Sequence, residues 1–165
     1  MTPARAAKPP VTRVRERTPR YTVSITGPVV VDASIAVLWF ANEPDRVGAT
    51  RLLQTESALL APDLMAVEAT NAWWKKRQRR EMELTDVEQA VTHLLALGIA
   101  WTPSTVLLRT AARLGVELRH PVYDCLYLAL AASYSASLAT ADDRLRRAAE
   151  RLGIPLWSHA GSAGP

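Results

Sequence analysis

From Tyr21 onward, short β-branched or apolar runs alternate with longer stretches of helical character, and this alternation limits the fold more than any other feature of the chain. Val29-Val30-Val31, Ala58-Leu59-Leu60, Ile99-Ala100-Trp101, Ser137-Leu138-Ala139-Thr140 and Ile154–Trp157 read as strands. Helices are predicted over about Ser34–Asn42, Asp45–Thr55, Leu64–Arg80, Thr85–Gly98, Ser104–Gly115, Val122–Ser135 and Asp143–Leu152. Pro62 ends the second strand and Asp63 is placed to cap the next helix, as Ser104 is for a later one. Thr85-Asp86-Val87-Glu88 has the form of a capping box, and Gly153 is a helix stop. This order predicts an α/β fold, with an open, mostly parallel sheet of about five strands covered by helices on both faces. In such sheets ligands bind beyond the carboxyl ends of the strands, where the strand order reverses. Polar residues that directly follow strands therefore bear most on function.

At 165 residues the chain is about one domain, and 48% hydrophobic composition suffices for a core. The formal charge of +4 points toward a polyanion only until it is located. Residues 1–20 hold six bases (Arg5, Lys8, Arg13, Arg15, Arg17, Arg20) against Glu16, a net of +5. The remaining 145 residues hold 14 bases and 15 acids, a net of −1, so the globular part is not basic. The basic start, residues 1–27, is expected to be a flexible tail. Pro3, Pro9, Pro10 and Pro19 oppose the amphipathic helix of an organelle transit peptide, and no apolar segment marks a secretory signal. The folded part is expected over 28–158, with a second tail over 159–165. One cysteine, Cys125, excludes an internal disulfide and suits a reducing, cytoplasmic setting. No apolar run approaches the roughly 20 residues that span a bilayer.

Four carboxylates stand alone in apolar surroundings. Asp32 is the one charged residue among the 22 from Tyr21 to Asn42, Asp124 among the 21 from Pro121 to Ala141, and Glu68 among the 11 from Leu64 to Trp74. Asp142 follows the Ser137–Thr140 strand. A buried, unpaired carboxylate costs several kcal/mol or takes up a proton, and these segments contain no opposite charge to compensate it. Helix capping accounts for Asp32, Asp124 and Asp142 one at a time, and a solvated surface position accounts for Glu68. Glu68 and Asn71, three apart, share one helical face. A single compensation for all four acids is a hard divalent cation such as Mg²⁺, which takes a few carboxylates and keeps several waters.

The segments Val29-Val30-Val31-Asp32-Ala33-Ser34, Val67-Glu68-Ala69-Thr70-Asn71, Tyr123-Asp124-Cys125-Leu126-Tyr127-Leu128-Ala129-Leu130-Ala131 and Leu138-Ala139-Thr140-Ala141-Asp142-Asp143-Arg144-Leu145 resemble the four motifs of PIN-domain ribonucleases. The likeness is closest to the toxin half of VapBC-type bacterial toxin–antitoxin pairs and covers roughly Pro28 to Ser158. It implies a PIN-like three-layer fold and a Mg²⁺-dependent endoribonuclease, with Mn²⁺ as a substitute ion. Asp32, Glu68, Asp124 and Asp142 would be its catalytic and metal-binding acids. Ser34, Asn71 and Thr140 match the family's supporting polar positions. Asp143 departs from the family's usual residue, and the Thr-x-Asp spacing favours Asp142 over it. The implied reaction is in-line attack by metal-activated water, leaving 5′-phosphate and 3′-hydroxyl ends. The implied partners are an RNA substrate, a cognate antitoxin and a second copy of the chain.

A His-pair ribonuclease is the rival chemistry, but no spacing brings His93, His120 and His159 together, and each reads as a surface or loop histidine. No Gly-rich loop follows the first strand to cradle a phosphate, which disfavours a doubly wound small-molecule binder. A PIN nuclease of RNA processing without an antitoxin, or a PIN-like module that binds without cutting, stays open as an alternative. Two basic clusters offer phosphate contacts, Lys75–Arg80 and Arg144–Arg151. Arg144 and Arg147 are preferred for their nearness to Asp142, although cations at helix C-termini are also expected for simpler reasons. Trp73 and Trp74, adjacent on one helix, diverge by about 100° and cannot both enter one core. The outward one suits a partner face, while Trp39, Trp101 and Trp157 are expected in the core.

Overall fold

The structure, a computed structural model, describes residues 27–158 except 42 and 44. The tails expected over 1–27 and 159–165, His159 included, lie outside the described residues apart from Gly27. The elements follow in the order β1 (Val29–Val31), α1 (Ala33–Phe40), α2 (Arg46–Leu52), β2 (Leu59–Pro62), α3 (Leu64–Gln78), α4 (Leu84–Ala96), β3 (Ala100–Thr102), α5 (Ser104–Leu118), α6 (Val122–Tyr134), β4 (Ser137–Ala139) and α7 (Asp143–Arg151). The sheet is parallel throughout, in the order β3-β2-β1-β4. Val30 pairs with Leu60 on one side and Leu138 on the other, and Ala61 pairs with Trp101. After β1 the chain builds outward through β2 and β3, then returns to place β4 on β1's other edge. The order therefore reverses between β1 and β4, which puts the switch point where Asp32 and Thr140 leave their strands.

Strands short enough to be buried end to end need no alternation, and Val29, Val30 and Val31 are all buried. Helix α6 packs on β1, β2 and β4 and is covered by α5, so it too is apolar all round, with Cys125 to Ala131 buried without a break. Helix α1 packs on α2 and α3, and α3 packs on α4.

The fold class is the one predicted, with four strands where about five were expected. At the position of the fifth, Leu156 makes one parallel bridge to Leu138, supported by Leu138 N donating to Pro155 O (2.8 Å) and Trp157 N to Leu138 O (2.9 Å). Pro155 has no N–H to extend the ladder, so the pairing stops at a bridge. Several helix ends also differ from expectation. Helix α5 runs through Gly115 to Leu118 and ends on Arg119 in the left-handed region (φ 53°). Its N-cap is Pro103, and the Ser104 and Asp63 side chains bond to each other rather than to their own helix ends. Helix α4 starts at Leu84, one residue before the expected Thr85, and Asp86 Oδ2 accepts from Glu83 N at 2.8 Å.

The adjacent tryptophans separate as their helical angle requires. Trp73 is completely buried, edge-on to Phe40 with ring centroids 5.6 Å apart, while Trp74 is 53% exposed. Trp39 lies in the core, and Trp101 and Trp157 are partly buried against it. Trp73→Ala is expected to lower unfolding stability by about 3–5 kcal/mol, the scale for truncating a buried aromatic. Trp74→Ala is expected to change it by no more than about 0.5 kcal/mol. Urea titrations of the two variants check this, and equal losses would contradict the assignment.

Candidate active site at the carboxyl ends of β1 and β4

Asp32 leaves β1 as its backbone N–H donates to Ala139 O of β4 (3.0 Å), and its side chain turns back into the protein, 6% exposed. Oδ2 of Asp32 accepts from the Ser34 hydroxyl, from Thr140 Oγ1 at 2.8 Å and from Ser34 N at 3.4 Å. The same hydroxyls accept from the β4–α7 turn, Ser34 Oγ from Ala141 N (2.9 Å) across the seam and Thr140 Oγ1 from Asp142 N (3.0 Å) within the turn itself. One carboxylate and two hydroxyls thus lock the start of α1 to the β4–α7 turn, with Ser34 and Thr140 both bonded to Asp32. Asp142 accepts from Arg144 N (2.6 Å) and Leu145 N (3.1 Å) as the N-cap of α7.

Glu68, half-buried on α3, accepts a hydrogen bond at Oε2 from the hydroxyl of Tyr127, which is fully buried on α6. Asp124 occupies the first turn of α6, with His120 Nε2 at 2.9 Å from its Oδ2. The His120 side chain is 8% exposed, and its Nε2 is aimed off the line of a well-formed hydrogen bond, so it meets Asp124 as a close polar contact. His120 thus lies in a loop as expected, between α5 and α6, but its side chain turns inward rather than to the surface. His93 is exposed on α4, stacked at a tilt on Phe40 with ring centroids 6.1 Å apart.

Electrostatics joins these four acids into one set. Burial pushes the Asp32 carboxyl above its ordinary range, against the pull of its hydroxyl and amide donors. Burial also raises Glu68, opposed by the Tyr127 hydrogen bond and reinforced by the negative charges of Asp32 and Asp124. Asp124 is raised by burial first; His120 counters this, while Asp32 and Asp142 add repulsion. No Lys or Arg figures among these influences. Tyr127 is held far above the usual phenol range by burial and then by Asp32 and Glu68, and Cys125 is pushed up to about 11 by burial and Asp124.

Other expected residues stand further out. Asn71 is exposed one turn beyond Glu68. Asp143 is exposed and pairs with Arg146 at 2.7 Å, so its charge is spent on its own helix. Arg144 and Arg147 are exposed on α7. In the other basic cluster, Lys76 pairs with Glu43 and Glu81, Arg77 with Glu83 (3.8 Å) and Arg79 with Glu81 (2.8 Å). Beside the acids lies an open cleft of about 350 Å³, whose lining includes Ser34, Glu68, Ala141 and the apolar Ala33, Val37 and Leu38. That volume is within the range of ligand sites.

The all-oxygen donor set fits a hard divalent cation, because like charges at the mouth of a cleft are relieved by positive charge and the nearby hydroxyls are compatible with it. Among the described residues, no three His, Cys, Asp or Glu side chains converge into a ready-made cage. Mg²⁺ does not require one, since one or two carboxylates with waters suffice.

A family model described as the PIN domain matches residues 29–151, and the chain belongs to that family. Among solved structures, VapC20 of Mycobacterium tuberculosis, described as a sarcin-ricin-loop-cleaving toxin, superposes with a TM-score of 0.62 at 14% identity, over 79% of this chain and 99% of its own. PAE2754 from Pyrobaculum aerophilum superposes with a TM-score of 0.59 at 22% identity, over 78% and 83%. None of the curated proteins matches the chain in sequence.

The raised carboxyls give stability a sign with pH. Asp32, Glu68 and Asp124 keep protons in the folded state that the unfolded chain releases, so stability falls as pH rises above the ordinary carboxylate range of about 4. In metal-free protein, the melting temperature of Asp32→Asn minus that of wild type is expected to grow as pH is raised through and above that range. Calorimetric scans in EDTA across pH check this, and a difference that shrinks with pH would contradict it.

Proposed function

We propose that this PIN domain is a divalent-metal-dependent endoribonuclease, the toxin of a toxin–antitoxin pair, which acts in the cytoplasm on RNA as a homodimer controlled by its antitoxin. The observation that carries the reading is the set Asp32, Glu68, Asp124 and Asp142 at the switch point, linked through Asp124, which feels the charges of Asp32 and Asp142 and acts on Glu68, with no Lys or Arg among the groups that act on Asp32, Glu68 and Asp124. A domain that only bound RNA would gain nothing from carboxylates that repel phosphate.

In this reading the four acids hold the cation, Mg²⁺ or Mn²⁺. Once bound, such an ion supplies positive charge to a phosphodiester and lowers the pKa of coordinated water toward neutrality. Ser34 and Thr140 fix the orientation of Asp32 by donating to one of its oxygens. Asn71 borders the site, and Asp143 serves α7 through Arg146. Arg144 and Arg147, exposed on the helix that Asp142 caps, give incoming phosphates a cationic approach, while three bases of the Lys75–Arg80 run are engaged by nearby glutamates. The toxin role draws on the likeness to VapC20, and Trp74 and Val67, exposed on α3, offer an apolar face to a partner chain.

Asp124→Asn is expected to reduce RNA cleavage by more than about 100-fold, since losing even an outer partner of a metal ligand costs up to about that much. Chelation of the wild type by EDTA should have the same effect, and the products should carry 5′-phosphates. Full cleavage by the variant, or in excess EDTA, would overturn the metal reading. Cleavage that no antitoxin encoded beside the gene suppresses would leave an RNA-processing nuclease.

Reversing charge at Arg144 and Arg147 together is expected to weaken RNA binding at low salt and to lower the slope of log affinity against log salt by about one for each lost phosphate contact. Filter binding at several salt concentrations measures both quantities. Unchanged affinity and slope would remove α7 from the RNA path.

A further inference from the structure

The four acids are not supported alike. Asp32 is the N-cap of α1, Asp142 is the N-cap of α7, and Asp124 lies in the first turn of α6. Each of these carboxylates thus sits where free backbone N–H groups and the helix dipole favour an anion. Glu68 is the fifth residue of α3, beyond that turn, and its support arrives from 59 residues away as the Tyr127 hydroxyl. Tyr127 is completely buried in the uninterrupted apolar run of α6, where a phenylalanine would satisfy packing alone. Its hydroxyl donates to Glu68 Oε2, and the Ala33 backbone N–H, next to Asp32, acts on the phenol oxygen against its upward shift. The phenol therefore joins three elements of the site: α1, α3 and α6.

We propose that Tyr127 is a positioning residue for metal binding: by occupying Oε2 of Glu68 from behind, its hydroxyl fixes that carboxylate and leaves the second oxygen as the one presented to a divalent cation. A carboxylate offers about four lone-pair sites, so the hydroxyl bond and a cation are compatible. The proposal rests on the metal-dependent reading above.

The test uses the full chain stripped of metal, with Mn²⁺ as the probe and free Mn²⁺ followed by electron paramagnetic resonance. Tyr127→Phe, which removes one oxygen and keeps the ring, is expected to weaken Mn²⁺ binding by about 10–100-fold, the usual cost of losing an outer partner of a metal ligand. Its circular dichroism should stay unchanged. Half-maximal cleavage should require correspondingly more metal, while the rate at saturating metal stays within a few-fold of wild type, a split that a packing role would not produce. In a Glu68→Gln background the Tyr127→Phe change should add nothing. A folded Tyr127→Phe variant with wild-type Mn²⁺ affinity would overturn this proposal alone, whereas a wild type that binds no Mn²⁺ would overturn the metal reading and this proposal with it. If the variant does not fold, a crystal structure of Mn²⁺-loaded wild type decides. Glu68 on the ion with Tyr127 still bonded to its other oxygen supports the proposal, and a Glu68 released from Tyr127 overturns it.

Discussion

The burial of Asp32 is the constraint on which the rest of the site depends. A carboxylate 6% exposed survives at the end of a central strand only if its lost hydration is replaced, and here donors on both sides of the β1/β4 seam replace it. Those donors are themselves fixed by what they accept, Ser34 Oγ from Ala141 N and Thr140 Oγ1 from Asp142 N. The exits of two neighbouring strands and the starts of α1 and α7 are thereby set as one unit. This brings Asp142 within electrostatic reach of Asp124, which α6 delivers from beneath the sheet.

For Asp32 and Asp142, capping and membership of the acidic set turn out to be the same fact. A helix that starts directly after a strand points its free N–H groups at the strand's carboxyl end, the place where a parallel sheet also collects its functional groups. An aspartate at that junction is held by the helix it caps while its carboxylate stays at the strand end. Asp63 shows the limit of the capping argument. It too precedes a helix, but its carboxylate is taken by Ser104 and it belongs to no acidic set, because β2 and β3 lie away from the reversal in strand order.

This pattern explains what could be read from the sequence. The succession of strands and helices along the chain, the lone acids and the Asp32, Ser34 and Thr140 positions are legible because each depends on a few consecutive residues: an apolar run, then a polar residue where the run stops. The unextended fifth strand was also within reach, since Pro155 announces a missing donor. The roles of His120 and Tyr127 were not, because they are properties of pairs. His120, Asp124 and Tyr127 are spaced four and three apart, so a helical reading places them near one face. The buried contact between Tyr127 and Glu68 exists only once α3 and α6 meet.

The opposite signs of charge in this chain divide its labour. The formal +4 of the whole resides in the first twenty residues, and the remainder is near neutral, so attraction between the folded body and RNA cannot come from net charge. Attraction has to be local, and the acids leave little room for it. Of the bases near them, Arg146 is drawn to Asp143, and Lys76, Arg77 and Arg79 towards and beyond the end of α3 are drawn to glutamates. An anionic substrate then meets carboxylates before it meets compensating charge unless a cation is already in place. On the proposed reading, metal occupancy would govern both chemistry and binding, tying affinity for RNA to the same four carboxylates that hold the cation.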